Sequence, residues 1–442
     1  MQVPAKLSYV VVLVEEISAA VLETLKIYTA DLELGMFVSS LDKSWLDSTF
    51  LIQGFKIENR EQVDRLRKEC EFVLIDTKQS RQRAGTLERK VKPMRVAKNE
   101  KRPDRARIPV DRIFEGRSIK PYQDNSEFID EHPRAQLALN TLLGDVCDIF
   151  EEVSEGGKIN VIKLRKSVEP VIDSISRNPD ACLWVARMRQ HDQYSYQHSL
   201  GASLWAVSLG RQMGLPRHDL RSLAVGAMLM DVGKLRVDTA LLQAERKLSP
   251  AENETMRMHI THGMDIIEEG GMMNQDVIDM VGCHHERYDG SGYPKGLSRD
   301  QIPPVARIAA IVDTYDAMTT PRAHAKAMSP SAAIKMIYEA RDRLFQAELV
   351  EAFIQAIGIY PAGTLVELST GEIGVVVAEY RTRRLRPRVL LLLDKHKDEL
   401  SNPVVVDLQA NSLENGQPPP DIVRALEPGA HNLDLSRISF KQ

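Results

Sequence analysis

The spacing of apolar positions changes character twice along the chain. From Lys26 to Ile75 short apolar stretches alternate with turn signals at Gly35, Asp47 and Gly54, and the segment Glu61 to Cys70 places Val63 and Leu66 on one helical face. This predicts a small α+β domain over residues 26–80, preceded by an extension over residues 1–25. Between Arg81 and Arg107 eleven Lys or Arg stand against three acidic residues with almost no periodicity, which predicts a basic linker over residues 81–134. From residue 135 to residue 358 the spacing is helical. Helices are expected over Val185 to Met213, stopped by Gly214 and Pro216, then Leu220 to Met230, Ser249 to Glu269, Gln275 to His285, Pro304 to Met318 and Pro330 to Tyr338. After Tyr360 the runs shorten, and Thr364 to Leu368, Gly374 to Ala378 and Val389 to Leu393 read as strands of a small β-rich module over residues 359–442, loose beyond Gln409. The fold class expected is therefore multidomain: α+β, then all-α, then β-rich.

Composition narrows the function classes. With 442 residues, 43% of them apolar and 27% charged, and a formal charge of -4, the chain reads as a soluble globular protein with no specific nucleic-acid partner. The apolar run Tyr9 to Val14 is ended by Glu15 and Glu16, far short of the roughly 20 residues that span a bilayer. No basic start or cleavage site marks it as a secretion signal. Cys70, Cys147, Cys182 and Cys283 form no C-x-x-C pair, so neither a disulfide framework nor a zinc-thiolate site is expected, and the compartment is read as cytoplasmic. The basic linker lacks the interleaved aromatic residues that stack nucleobases, and reads as a solvated tether, with an anionic partner the lesser reading. Arg381, Arg383, Arg384, Arg386 and Arg388 read as a solvated hairpin, with an RNA or membrane-surface contact the lesser reading.

Seven of the eleven histidines fall between His191 and His285. Asp313 follows the run Ile308 to Val312, and Asp231 ends the apolar stretch Ala227 to Met230. A carboxylate carried into apolar surroundings needs a cation or several hydrogen bonds. Lys234, three residues after Asp231, offers a structural ion pair as one answer. The adjacent His284 and His285, and His198 on the long helix, offer another. His218 and His262 read as ordinary surface or core histidines. Imidazoles and carboxylates without thiolate form a nitrogen and oxygen donor set suited to Fe or Mn more than to structural zinc. Several such ligands can hold two ions roughly 3.5 to 4 Å apart, the arrangement used to hydrolyse phosphate esters.

The segment His284-His285-Glu286-Arg287-Tyr288-Asp289-Gly290-Ser291-Gly292-Tyr293-Pro294 resembles the signature of HD-GYP domains, the all-helical bacterial phosphodiesterases that degrade cyclic di-GMP. The resemblance runs from Tyr194 to Ile357. It includes Asp231-Val232-Gly233-Lys234, His259 with Gly263, Ala306-Arg307-Ile308, Asp313 and Asp316-Ala317-Met318-Thr319. Residues 26–78, with Gly35-Met36-Phe37-Val38, Trp45-Leu46-Asp47 and Gln53-Gly54-Phe55, resemble the uncharacterised domain that often precedes HD-GYP. By this resemblance His198, Asp231, His259, His284, His285 and Asp313 are metal ligands for two divalent ions, with Asp231 bridging and, with Lys234, catalytic. Lys234, Arg322 and Lys326 would face substrate phosphates, and Tyr293 would shape the guanine-facing loop. The ring of cyclic di-GMP would open to give pGpG and/or GMP. Gly290 and Gly292 would supply positive φ angles and close backbone approach in that loop.

The chain departs from the family at two places. Met230 stands where the family has the histidine of its HD pair, so one of the two metal sites has lost an imidazole, and a thioether is a weak ligand for Fe or Mn. After Arg322 come Ala323, His324 and Ala325 instead of proline, tyrosine and a basic residue, which leaves Lys326 one position late. Two outcomes are compatible with this. Either hydrolysis persists, with one weakened metal site or with His191 helping from two turns before His198, or the domain is a degenerate module. Such a module would bind a cyclic dinucleotide or protein partners, diguanylate cyclase domains among them, and a homodimer is compatible with either. Because Asp231, Lys234 and the remaining ligands are kept, reduced or altered hydrolysis is favoured over none.

Overall fold

A computed structural model describes residues 24–41, 55–57, 59–76, 108–188, 194–244, 246, 248–321, 327–379, 385–410, 418–433 and 435. The chain divides into two compact units, residues 1–105 and 106–442.

In the first unit, β1 (Thr24–Tyr28), β2 (Phe37–Leu41), β3 (Phe55–Lys56) and β4 (Phe72–Asp76) form an antiparallel sheet in the order β1-β4-β2-β3. Helix α1 (Arg60–Glu69) begins at a reciprocal cap: the Asn59 side chain accepts from the Gln62 amide while the Gln62 side chain accepts from the Asn59 amide. Val63 and Leu66 are buried with Ile27, Val38, Val73 and Ile75 in one small core.

The second unit starts before the expected end of the linker. Ile113 and Phe114 are already buried in the main core, and α2 (Phe128–Ser154) begins seven residues before Ala135. Two short apolar residues among charges carry no periodicity, so this anchoring was not visible in the spacing. Helix α2 buries Phe128, Ala135, Leu139, Leu142, Val146 and Ile149 at helical intervals. Its fully buried Glu131 accepts from Arg177 at 2.7 and 2.8 Å and from Ser174 at 2.7 Å, which offsets the desolvation of the charge. Helices α3 (Val161–Ser167), α4 (Glu169–Arg177), α5 (Pro179–Met188), α6 (Tyr194–Gln212), α7 (Arg217–Leu229), α8 (Pro250–Arg257), α9 (His259–Glu269), α10 (Gln275–Cys283), α11 (Pro304–Thr319), α12 (Pro330–Glu339) and α13 (Ala347–Ile357) follow. Helix α6 is central and packs against α7, α11 and α13.

The expected helix Val185 to Met213 differs from what is observed. α5 starts at Pro179, where the Asn178 side chain accepts from the Asp180 amide, and α6 starts at Tyr194. The expected single helix Ser249 to Glu269 is interrupted at Met258, for a reason that lies in the site.

After α13 the strands β5 (Leu365–Leu368), β6 (Ile373–Ala378), β7 (Arg388–Leu393), β8 (Glu399–Asp407) and β9 (Ile422–Ala425) form an antiparallel sheet ordered β8-β7-β6-β5-β9. Alternation divides its side chains between two cores. Ile373, Val375 and Val377 join the helical core, whereas Val376 packs with Val366, Val389 and Leu408 on the opposite face. Among the described residues the chain is not loose beyond Gln409: Ile422 is buried, and β9 pairs with β5, opposing Val366 with Ala425. Arg386 hydrogen-bonds Asp421 at 2.6 Å and the Leu408 carbonyl at 3.1 Å, so it ties strand ends together, while Arg381, Arg383 and Arg384 lie outside the described residues.

All four cysteines are free, and burial pushes the Cys182 thiol up to about 12. Among the described residues no helix is long and apolar enough to cross a membrane.

Candidate metal centre

Helix α7 ends at Leu229, and after Met230 and Asp231 the chain tightens into a 3₁₀ turn, Val232–Arg236. Three residues per turn bring positions i and i+3 into line, so the Lys234 ammonium lies 2.5 Å from Asp231 Oδ2. The turn sits directly on the start of α9. A Cβ on Gly233 would come within 1.8 Å of the His259 carbonyl oxygen and 2.4 Å of the Gly263 amide, so only glycine allows the approach that sets Asp231 beside His259.

His259 explains the break at Met258. Its Nδ1 donates to the Met256 carbonyl at 2.7 Å, drawing that acceptor away from the helix ladder. His284, at the end of α10, donates from Nδ1 to the carbonyls of Met280 and Val281 at 3.2 and 3.1 Å. Both rings thereby carry their proton on Nδ1 and point bare Nε2 atoms at one another, 3.4 Å apart. Asp231 Oδ1 lies 3.5 and 3.7 Å from these two nitrogens and is a buried oxygen with no hydrogen-bond partner. Burial lowers the His259 imidazole to about 4 against the opposing pull of Asp231, and it holds the His285 imidazole well below its usual value. Both are neutral near pH 7.

A second cluster shares Asp231. His198, on α6, is held by Asp316: its Nδ1 donates to Asp316 Oδ2 at 2.8 Å, and Trp205 Nε1 donates to the other carboxylate oxygen at 2.9 Å. His198 Nε2 then faces Asp313 Oδ1 at 3.1 Å and Asp231 Oδ2 at 3.4 Å. Burial pushes the Asp231 and Asp313 carboxyls up. The Lys234 ammonium beside Asp231, and the His198 imidazole set between Asp231 and Asp313, outweigh that, and both stay ionised below the usual carboxylate range.

These contacts test whether a cation suits the site. Lone pairs facing lone pairs, together with a buried carboxylate oxygen lacking any donor, are unfavourable unless a positive charge lies among them. The donors fall into two groups that each fit an ion, Asp231 with His259, His284 and His285, and His198 with Asp231 and Asp313. Nitrogen and oxygen donors of this kind match a hard-to-borderline divalent metal.

The glycine-rich loop closes the outer side. His285 Nδ1 lies 3.9 Å from Asp313 Oδ2, and its ring stacks on Tyr293 with centroids 4.7 Å apart. The loop is tied down by buried Glu286, whose carboxylate accepts from the Lys295 and Leu297 amides at 2.8 and 2.9 Å. Gly290 has φ +83°, as expected. Gly292 does not adopt positive φ; there a Cβ would meet the Arg287 amide at 2.4 Å, so close approach alone requires glycine.

Of the residues singled out in the sequence, His198, Asp231, Lys234, His259, His284, His285 and Asp313 meet in one place, with Tyr293 at the rim. Arg322, Lys326 and His191 lie outside the described residues. His218 pairs with Asp219 at 3.1 Å, away from the centre. Asp316, Glu286 and Arg257 were missed as members of the site. Asp316 lies three residues after Asp313 on α11, and that shared face was the available signal.

Comparison with known proteins extends this picture. An HD domain model matches residues 176–349, a domain of unknown function matches residues 24–164, and a KOW domain associated with the HD domain matches residues 365–414. The chain is 30% identical over 388 residues to a cyclic di-GMP phosphodiesterase of Pseudomonas aeruginosa, covering 87% of this chain and 88% of that protein. It is 35% identical over 152 residues to the cyclic di-GMP phosphodiesterase response regulator RpfG of Xanthomonas campestris pv. campestris, covering 33% of this chain and 39% of that one. To a 3'3'-cGAMP-specific phosphodiesterase of Vibrio cholerae it is 29% identical over 168 residues, 38% of this chain and 36% of the relative. A helical HD domain bearing a histidine–aspartate cluster is the class that fold and comparisons define together. Within it, the chain belongs to the HD-GYP phosphodiesterase family.

Proposed function

We propose that the chain hydrolyses cyclic di-GMP in the cytoplasm, opening the ring to pGpG and continuing to GMP, with iron or manganese held by the two donor groups and Asp231 shared between them. The observation that carries this is the pair of proton-free Nε2 atoms of His259 and His284 beside the orphaned Asp231 Oδ1. Bound cations would supply Lewis-acid charge and an acidified water. The chain's own residues orient that chemistry. Met256, Met280 and Val281 carbonyls and the Asp316 carboxylate fix which nitrogen of each imidazole points inward. Lys234 brings positive charge to the edge of Asp231 and, with Arg322 and Lys326, holds phosphate oxygens. His198, Asp231 and Asp313 form a three-donor group beside buried Met230, so the ion there is the more weakly held.

The test measures bound Fe and Mn and cyclic di-GMP turnover on the same preparations. Wild type loaded with either metal should cleave the substrate, and Asp231→Ala should lose most of its metal and more than about a hundredfold in turnover. Metal-replete protein that binds cyclic di-GMP without cleaving it would establish the degenerate module instead. A wild type that retains no cation would likewise remove hydrolysis and leave the degenerate signalling module.

A further inference from the structure

The outer wall of the centre is a stack of three groups. Tyr293 lies on His285 with the ring planes 25° apart, and the guanidinium carbon of Arg257 lies 4.6 Å from the Tyr293 centroid. Arg257 is the last residue of α8, and its side chain is 48% exposed. One contact, Nη1 to Glu254 Oε1 at 3.1 Å, occupies part of a fork that has five N–H donors. Its face is held by the tyrosine ring while much of its edge remains toward solvent.

A cyclic dinucleotide carries two phosphodiesters, and only one can lie among the ligand groups in a given turnover. The other is a full negative charge that needs a cation outside the ligand set. Lys234 is inside that set, on Asp231. Arg287 turns its Nη1 to the carbonyls of His284 and Glu286 and lies over Phe345. Among the described residues, Arg257 is the cation stacked on this wall with its edge open.

We propose that Arg257 is a specificity-determining residue that holds the second, non-scissile phosphate of a cyclic dinucleotide, with Tyr293 fixing the plane of the guanidinium. This rests on the hydrolytic function proposed above. A planar fork pinned on an aromatic face loses little freedom when it accepts a phosphate bidentately, which a lysine cannot reproduce.

The experiment compares cyclic di-GMP with bis(p-nitrophenyl) phosphate, a substrate with a single phosphodiester, in metal-loaded wild type, Arg257→Ala and Arg257→Lys. In Arg257→Ala, kcat/KM for cyclic di-GMP should fall about tenfold, or ~1.4 kcal/mol, relative to that for the single diester. The loss should appear in KM, bound metal should match wild type, and Arg257→Lys should fall between the two. If a metal-replete wild type binds cyclic di-GMP without turnover, calorimetry should show the same tenfold weakening in Arg257→Ala. Equal losses on both substrates, or loss of metal, would overturn the proposal in favour of a scaffold role under Tyr293, and an unaltered ratio would overturn it outright. A wild type that neither binds nor cleaves cyclic di-GMP defeats the proposed function, and this assignment falls with it.

Discussion

Met230 has no exposed surface and belongs to the main hydrophobic core, yet it is covalently next to the carboxylate shared by both donor groups. The group on one side has four donors; the one containing His198 and Asp313 has three. Replacing Met230 with histidine tests whether the missing donor limits the centre. Met230→His should raise bound metal per chain and increase cyclic di-GMP turnover several-fold, opposite in sign to Asp231→Ala. If Met230 serves packing alone, the same change buries an imidazole among apolar neighbours, costs about 1–3 kcal/mol in chemical denaturation, and leaves metal content where it was. At this scale the sequence was informative wherever a charge ended an apolar run, as at Asp231 and Asp313, because a buried carboxylate demands a partner. It was uninformative for Arg257, which sits among the polar residues of α8 and reads as solvated surface. Its relation to Tyr293 exists only once α8 and the glycine-rich loop are brought together.

At the scale of elements, the centre depends on a 3₁₀ turn lying against α9 with no room for a side chain. Gly233→Ala should force the turn away from the His259 carbonyl, and overpacking of this kind costs about 1–3 kcal/mol. Since the same displacement moves Asp231 from His259, bound metal should fall together with the melting temperature. A Gly233→Ala protein with wild-type melting and metal content would show that the turn can shift without disturbing the ligands. Helix periodicity made most of the all-α domain legible, including α7, α10, α11 and α12 to within a few residues. It could not show the interruption at Met258, because that follows from a side chain competing for a backbone carbonyl. Nor did alternation show β8, where Ser401, Asn402 and Pro403 break the pattern and most side chains are exposed, or β9, which is four residues long and contains Arg424.

For the molecule as a whole, the centre is a source of pH-dependent stability. His259 is buried and has its pKa lowered from 6.5 to about 4, and His285 is lowered in the same direction, with burial the largest cause for both. The unfolded chain therefore binds more protons than the folded chain between these values. Stability rises with pH across that window and is lost as pH falls from about 6.5 towards 4. For His259 alone the full effect is on the order of 3 kcal/mol, reached only at the acid end. The lowered Asp231 and Asp313 carboxyls act further down, their contribution being present above the ordinary carboxylate pKa and lost in stronger acid. Chelator-treated protein should thus show a denaturation midpoint that declines steadily between pH 7 and pH 4.5, and His259→Gln should flatten the slope. Adding Mn at pH 7 should raise the melting temperature, because the cation binds only the folded arrangement of neutral imidazoles, and the gain should shrink over the same acid window as protons compete for Nε2. A midpoint independent of pH between 7 and 4.5, or a metal-induced gain that persists at the acid end, would mean that the buried imidazoles are not the groups that receive the cation.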